Sequence, residues 1–397
     1  MNAVYLDWIK RLAVFFLGIS VGTSIGLFNA CSAVLAIIAS IFDKNRFCNL
    51  KNKLFNRTFL LFNMYIITIL AECLFFKNDI GIKMILRYYD KIVTFFILYL
   101  FIGNCSRIFQ YAFLGSALGF LCNDYIVFTQ MLSGPSEFGN RYGGFFGNPN
   151  MMSSMFELAV PLFCFAMYKF RKDMVLLFIG VVSLVGVLWS LYMSGSRGAT
   201  MAVVVEAVLF LLIHVYRTNK NTSLLKYVGI GIVAGILVIV ATAVFFQRSY
   251  DSERILLWIS SINMFIDHPI FGVGFSNWGK AYVSHYISPL AQEPRLNHPH
   301  NLYLILLSET GLVGFVSFFS FIIWQVKESL KYSEMHYRVN GPSINIGDMF
   351  IIMIVGALIH NMVEINMVLR DFMLMYFYIW GICCIEFKRN DKKSRLE

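Results

Sequence analysis

The stretch NHPHNLYL, starting at Asn297, sets His298 and His300 on either side of Pro299, directly ahead of an apolar run. Only 7 histidines occur in the chain, and two of them meet here. An imidazole can pack in a core, ligate a metal, or exchange a proton near neutral pH. The metal reading is short of donors, because no third histidine or acidic cluster lies at ligand spacing and no DxD-type pair is present. Packing and proton transfer both stay open. Pro299 pins the chain beside His300, which opens a helix with Asn301. A neutral ring there can take a proton from an incoming hydroxyl, with Asn301 able to orient the ring or a sugar.

Three arginines stand in comparable settings. Arg141 precedes a glycine-rich turn in FGNRYGGFFGNPNMM, Arg197 sits in the turn SGSRGATMA, and Arg254 opens the segment RILLWISSINMFIDHPIFGVG. Guanidinium is permanently charged and can hold phosphate oxygens in a bidentate fork. Taken singly, each arginine reads equally well as an anchor whose head reaches the membrane surface. Converging outside the membrane, they would suit a diphosphate on a lipid carrier.

The elements that must position these groups are set by composition. With 58% hydrophobic and 14% charged residues, a chain of 397 residues is no soluble globule. Apolar stretches fall at 12–23, 26–42, 59–76, 82–103, 108–130, 151–168, 174–193, 199–216, 227–246, 302–326, 348–364 and 368–386. These are the candidate stretches for crossing a bilayer as helix. The expectation is an all-α integral membrane protein of about twelve transmembrane helices, forming a single domain over 1–397. Barrels are excluded, since the segments are continuously apolar and do not alternate. The first run lacks a polar, cleavage-like region and is expected to stay as the first span.

Basic residues orient the spans. Lys10 and Arg11 precede the first run, and Lys44, Arg46, Lys51, Lys53 and Arg57 follow the second, so the chain is expected to break into a hairpin at GTSIG. Most of the 33 Lys and Arg then fall on one face, with both termini cytoplasmic. A basic inner face meets anionic membrane lipids, and the net charge of +10 calls for no nucleic acid. The 8 cysteines form no CxxC pair, and none lies in the long external connection.

That connection, 247–299, lies on the face opposite the basic segments, and its length suggests function. It predicts a helix from about Ser252 to Asp267, stopped by Pro269. Ile255, Leu256, Ile259, Ile262 and Phe265 are expected to form its buried face, with Arg254, Trp258 and Ser261 on a separate stripe.

Taken in order, FFGNPNMMSSMF, SGSRGATMA, RILLWISSINMFIDHPIFGVG and HPHNLYLILLSETGLVGF resemble the O-antigen ligase and polymerase superfamily of Gram-negative envelopes. The resemblance implies a GT-C-like membrane fold with a large, partly helical periplasmic loop. It implies a metal-independent, inverting glycosyltransferase of the bacterial inner membrane that needs no cofactor. The donor would be an undecaprenyl-diphosphate-linked glycan and, for a ligase, the acceptor a lipid A-core sugar. Arg197 and Arg254 would bind the diphosphate and stabilise the departing charge, and His300 would be the base. His298 and Asn301 are placed with the substrate. Arg141 joins them from the charge map rather than from the resemblance.

Ligase and polymerase share the donor, the face and most of the motif. The ligase is favoured because all its motif residues fall in one large loop, whereas polymerases often divide theirs between two. Protein O-oligosaccharyltransferases often carry C-terminal motifs not found here. A lipid-linked polysaccharide transporter is the alternative of another class. Its expected marks are internal repeats and midplane ionisable groups, but Asp124, Glu157, His360, Asn361 and Glu364 are scattered without a repeat.

Overall fold

The computed structural model describes residues 3–42, 57–78, 80–86, 97–102, 105, 107–218, 251–291 and 296–394. The expected span at 227–246, half of that at 82–103, and the basic positions from Lys44 to Lys53 lie outside the described residues. The long helices are α1 (Ala3–Thr23), α2 (Gly26–Phe42), α3 (Arg57–Phe75), α4 (Ile108–Leu132), α5 (Pro149–Lys169), α6 (Met174–Ser194), α7 (Arg197–Thr218), α8 (Asp251–Asp267), α9 (Leu302–Asn340), α10 (Ile346–His360) and α11 (Arg370–Ser394). Among the described residues the only β-type pairing is an isolated bridge between Ser136 and Gly139. Six helices, α3 to α7 and α9, are long and apolar enough to cross a membrane, and α2 and α10 are shorter apolar helices. The chain is a multi-pass, all-helical membrane protein.

The expected break at GTSIG is present. Ser24 takes a left-handed φ of 56° between α1 and α2. Its hydroxyl donates to Asp371 at 3.1 Å, tying the turn to the start of α11. α1 then lies along α4, where Gly18 and Gly22 face Gly115 and Gly119. A Cβ added at Gly115 would stand 2.2 Å from the Phe15 carbonyl oxygen, so the two backbones touch. Small residues spaced by four allow this approach, which is how helices associate where lipid offers no hydrophobic drive. α5 sits centrally, with α6, α7, α10 and α11 packed around it.

α9 departs from the single uninterrupted span expected at 302–326. Its helix is broken at Gly311, with φ 58° and ψ −162°. The segment after α8 fills the break with its own backbone. Val273 and Gly274 N–H groups donate to the carbonyls of Ser308 and Glu309, each at 2.9 Å. Leu312 and Val313 N–H groups donate to Pro269 and Ile270 at 2.9 and 3.2 Å. A broken helix at membrane depth is tolerated when other protein groups satisfy its freed polar atoms, and here they do. The Glu309 carboxylate also accepts the Trp278 N–H at 3.0 Å.

This docking fixes α8, whose extent agrees with expectation but whose inward face does not. Leu257, Ser260, Ser261 and Met264 are buried, whereas Ile255, Ile259 and Ile262 point outward. The buried serines are bonded: Ser260 donates to the Tyr286 carbonyl at 2.7 Å, and Ser261 accepts from the Trp278 indole at 2.9 Å. Bonded hydroxyls can be buried at little cost. With hydrogen-bonded serines on the inner face and isoleucines left exposed, apolar periodicity alone does not choose which face is buried. The stripe of Arg254, Trp258 and Ser261 does turn toward the rest of the protein, with the Trp258 indole donating to the Pro299 carbonyl at 3.0 Å.

Gly311 is the most exacting position in this docking, since a Cβ there would stand 2.3 Å from the Ile270 backbone at a φ that disfavours L side chains. Gly311→Ala should therefore destabilise the protein by more than about 1 kcal/mol. A lowered midpoint in detergent thermal unfolding checks this, and an unchanged midpoint would contradict it.

Candidate functional site

The first wall of the site comes from FGNRYGGFFGNPN. Asn148 caps α5, its side chain accepting the Asn150 and Met151 N–H groups at 2.8 and 3.3 Å, and Pro149 occupies the first helical position. Both choices suit a helix start. The turn leaves Asn150 projecting from the first turn of α5. Its side-chain oxygen accepts from the Arg141 guanidinium, and its amide donates to Glu364 at 2.8 Å. Arg141 Nε donates to the Ser194 carbonyl at 2.7 Å, at the end of α6. Gly195 follows with a left-handed φ of 59° and lies against the arginine stem.

Arg197 begins α7 two residues later. The neighbouring Gly198 is pressed on His360 and Val363, and a Cβ there would stand 2.5 Å from the His360 ring. His360 is fully buried and is paired through Nδ1 with Glu157, itself fully buried in α5. The Glu157–His360 pair thus forms a floor beneath the turn that presents Arg197.

The second wall is the junction of α9 and α10. α10 ends at His360, and the following backbone is sewn to the start of α9. Leu302 N–H donates to the Asn361 carbonyl at 2.9 Å, and the Asn301 amide donates to the Met362 carbonyl at 2.9 Å. Asn301 Oδ1 also accepts the Leu304 N–H at 3.0 Å, capping α9. Both ends of this carboxamide are therefore engaged in holding the junction.

Glu364, in the connection after α10, is where the walls meet. Its Oε2 pairs with His300 Nδ1 at 3.1 Å. Its Oε1 accepts from Asn150 and lies 3.7 Å from the Arg254 guanidinium. Arg254 also donates to the Val363 carbonyl at 3.2 Å. Burial acts to raise the pKa of this carboxyl. The His300 hydrogen bond and the charges of His300, His360 and Arg254 outweigh burial, holding it below the usual carboxylate value. Glu364 is thus held as an anion, with Arg254 as its permanently charged partner.

His300 adopts a left-handed φ of 51° immediately before the α9 cap, which turns its ring back to Glu364. With Nδ1–H donated to the carboxylate, the neutral ring carries its lone pair on Nε2. His298 stands edge-on to it, with ring centroids 4.2 Å apart, and its Nδ1 accepts the His300 N–H at 3.4 Å. The two histidines differ in character. Burial pushes the His298 imidazole down to about 4, with His300 and Arg254 adding to the fall and Glu364 opposing it.

A continuous polar chain therefore runs from Arg141 through Asn150 to Glu364, where it branches to Arg254 and to His300 with His298. Arg197 joins by position, because its turn is flanked by Arg141 on one side and by His360 and Val363 on the other. Chemically, the set can hold a polyanion at its arginines and accept a proton at an oriented imidazole. Sequence reasoning missed Asn150 altogether and placed Glu364 among scattered midplane groups. The signal available for Glu364 was an acidic residue near the external end of a span, on the face that collects the arginines.

Residues 182–319 match the family model described as O-antigen ligase. No curated relative matches the chain. The matched stretch runs from within α6 to within α9. It contains Arg197, Arg254, His298, His300 and Asn301, and leaves Arg141, Asn150 and Glu364 outside.

The lowered value at His298 carries a pH consequence. The unfolded chain keeps the ordinary value of 6.5, so it binds more protons than the fold as pH falls from about 6.5 to about 4. Stability is lost through that window. The thermal midpoint of the wild type should fall more on acidification than that of His298→Gln, and equal falls would contradict the assignment.

Proposed function

We propose that the chain belongs to the O-antigen ligase superfamily, acting in polysaccharide assembly on lipid-linked glycans at a membrane, and that it is an O-antigen ligase. On this reading it transfers O-antigen polysaccharide from undecaprenyl diphosphate to a lipid A-core acceptor, at the periplasmic face of the bacterial inner membrane. The fold is GT-C-like with twelve spans and both termini cytoplasmic, so that 247–299 is the periplasmic connection. The observation that carries the reading is Glu364 holding His300 Nδ1 at 3.1 Å and the Arg254 guanidinium at 3.7 Å on one carboxylate.

The chemistry follows from those contacts. Glu364 fixes the ring so that Nε2 takes the proton of the acceptor hydroxyl as its oxygen attacks the anomeric carbon. The new C–O bond forms as the bond from that carbon to the diphosphate oxygen breaks on the opposite side, which inverts the centre. Undecaprenyl diphosphate leaves with the electron pair. The charge developing on it falls to Arg197 and Arg254, with Arg141 beside them, so guanidinium groups supply the electrostatic stabilisation without a metal. His298, held neutral, adds no competing positive charge next to the base. The lipid tail lies between helices while the reacting end stays at the interface.

His300→Ala should lower transfer by about a hundred- to ten-thousand-fold with normal expression and membrane insertion. Lipopolysaccharide gels of a deletion strain complemented with the variant should lack capped core. Wild-type capping would remove His300 from the reaction. Arg254→Lys tests the clamp separately, because a point charge lacks the fork geometry, and it should also impair capping.

A further inference from the structure

The opposite end of the molecule holds a second charged site. A cavity of about 600 Å³ is lined by Arg57, Tyr99, Trp324, Lys327, Glu328, Lys331 and Lys388. Its distance from the candidate site can be read along α9. Lys327 lies fifteen residues beyond Leu312, where α9 resumes after its break, or about 22 Å further along at a helical rise of 1.5 Å, so it stands toward the end of the span remote from Asn301. The cavity therefore belongs to the other membrane face, where α3, α9 and α11 bring their basic ends together.

Among the described residues lining it, four cations surround one carboxylate. Glu328 lies within the electrostatic reach of Lys331, Arg57 and Lys388, so it answers only part of their charge. Aromatic walls hold two of the cations in place: Arg57 lies 4.8 Å from the Trp324 ring centre, and Lys388 lies 4.5 Å from that of Tyr99. Stacking on an aromatic face positions a cation without neutralising its charge. The Trp324 indole N–H is without a hydrogen-bond partner among the described residues, although it is buried. A buried donor of this kind is normally satisfied. Net positive charge, an unmatched donor and aromatic walls at interfacial depth together call for a phosphate oxygen.

We infer that this cavity binds a phosphate-bearing anion, with a membrane lipid headgroup as its source. Basic pockets between transmembrane helices hold such headgroups by the same balance of charge and aromatic contact. Lys327, Lys331 and Lys388 supply the charge, Arg57 the fork, and Trp324 the neutral donor. The inference is independent of the reaction at the other face.

The test uses the full-length protein in phosphatidylcholine nanodiscs. One arm titrates in cardiolipin and counts retained lipid by native mass spectrometry, and a second titrates inorganic pyrophosphate without cardiolipin. Each single Lys→Gln change at 327, 331 or 388 should weaken retention about five-fold, from about 1 kcal/mol per charge. Glu328→Gln should strengthen it. Lys172→Gln, a basic residue outside the cavity, should leave it unchanged. Retention of cardiolipin but not pyrophosphate assigns the lipid source, and the reverse assigns a soluble phosphate. Lys331→Gln and Glu328→Gln have opposite expected signs, so a general loss of folding on substitution cannot produce the expected pattern. Equal retention by the wild type and the lysine variants in both arms would overturn the inference.

Discussion

One buried carboxylate holds the candidate site together. Glu364 accepts Asn150 from the start of α5, pairs with Arg254 of α8, and orients His300 ahead of α9, while its own backbone connection is stitched to the α9 cap. A buried carboxylate is stable only when it is paired and hydrogen-bonded, so each of these partners is constrained by it. The constraint runs both ways. Removing Glu364 would leave cations from several segments facing one another at close range.

The rest of the fold can be understood as what that meeting requires. α8 must approach the α9–α10 junction, and it does so because the segment after it docks into the break at Gly311. The backbone of α9 gives up its regular hydrogen bonds there, and residues 269–274 return them. The turn bearing Arg197 must lie low on α10, and Gly198 permits it by leaving room for His360. Packing between α1 and α4, governed by glycines in contact, stands further from the site. It matters as part of the scaffold through which α11 and the central α5 are held.

Much of this was legible in the sequence. The histidine pair, Arg197 and Arg254 lie in short local patterns whose residue types state their chemistry, and the hairpin at GTSIG followed from charge. Other features depended on information that local pattern does not carry. Glu364 lies sixty-four residues from His300 along the chain, and the two meet only because α9 and α10 return to the same face. Asn150 gave no sign of its task beyond following a helix cap. The break at Gly311 escaped because hydropathy counts side chains and is blind to a backbone exchanging partners. α8 turned the other way because two hydrogen-bonded serines took the inner face, which apolar periodicity does not register.

The central claim is that Glu364 sets the positions of His300 and Arg254. A cryo-electron microscopy structure of Glu364→Ala, at a resolution that shows side chains, tests it most directly. The account predicts that the helices superimpose on the wild type while the His300 ring and the Arg254 guanidinium lose their fixed orientations. Both side chains keeping their wild-type places would contradict it.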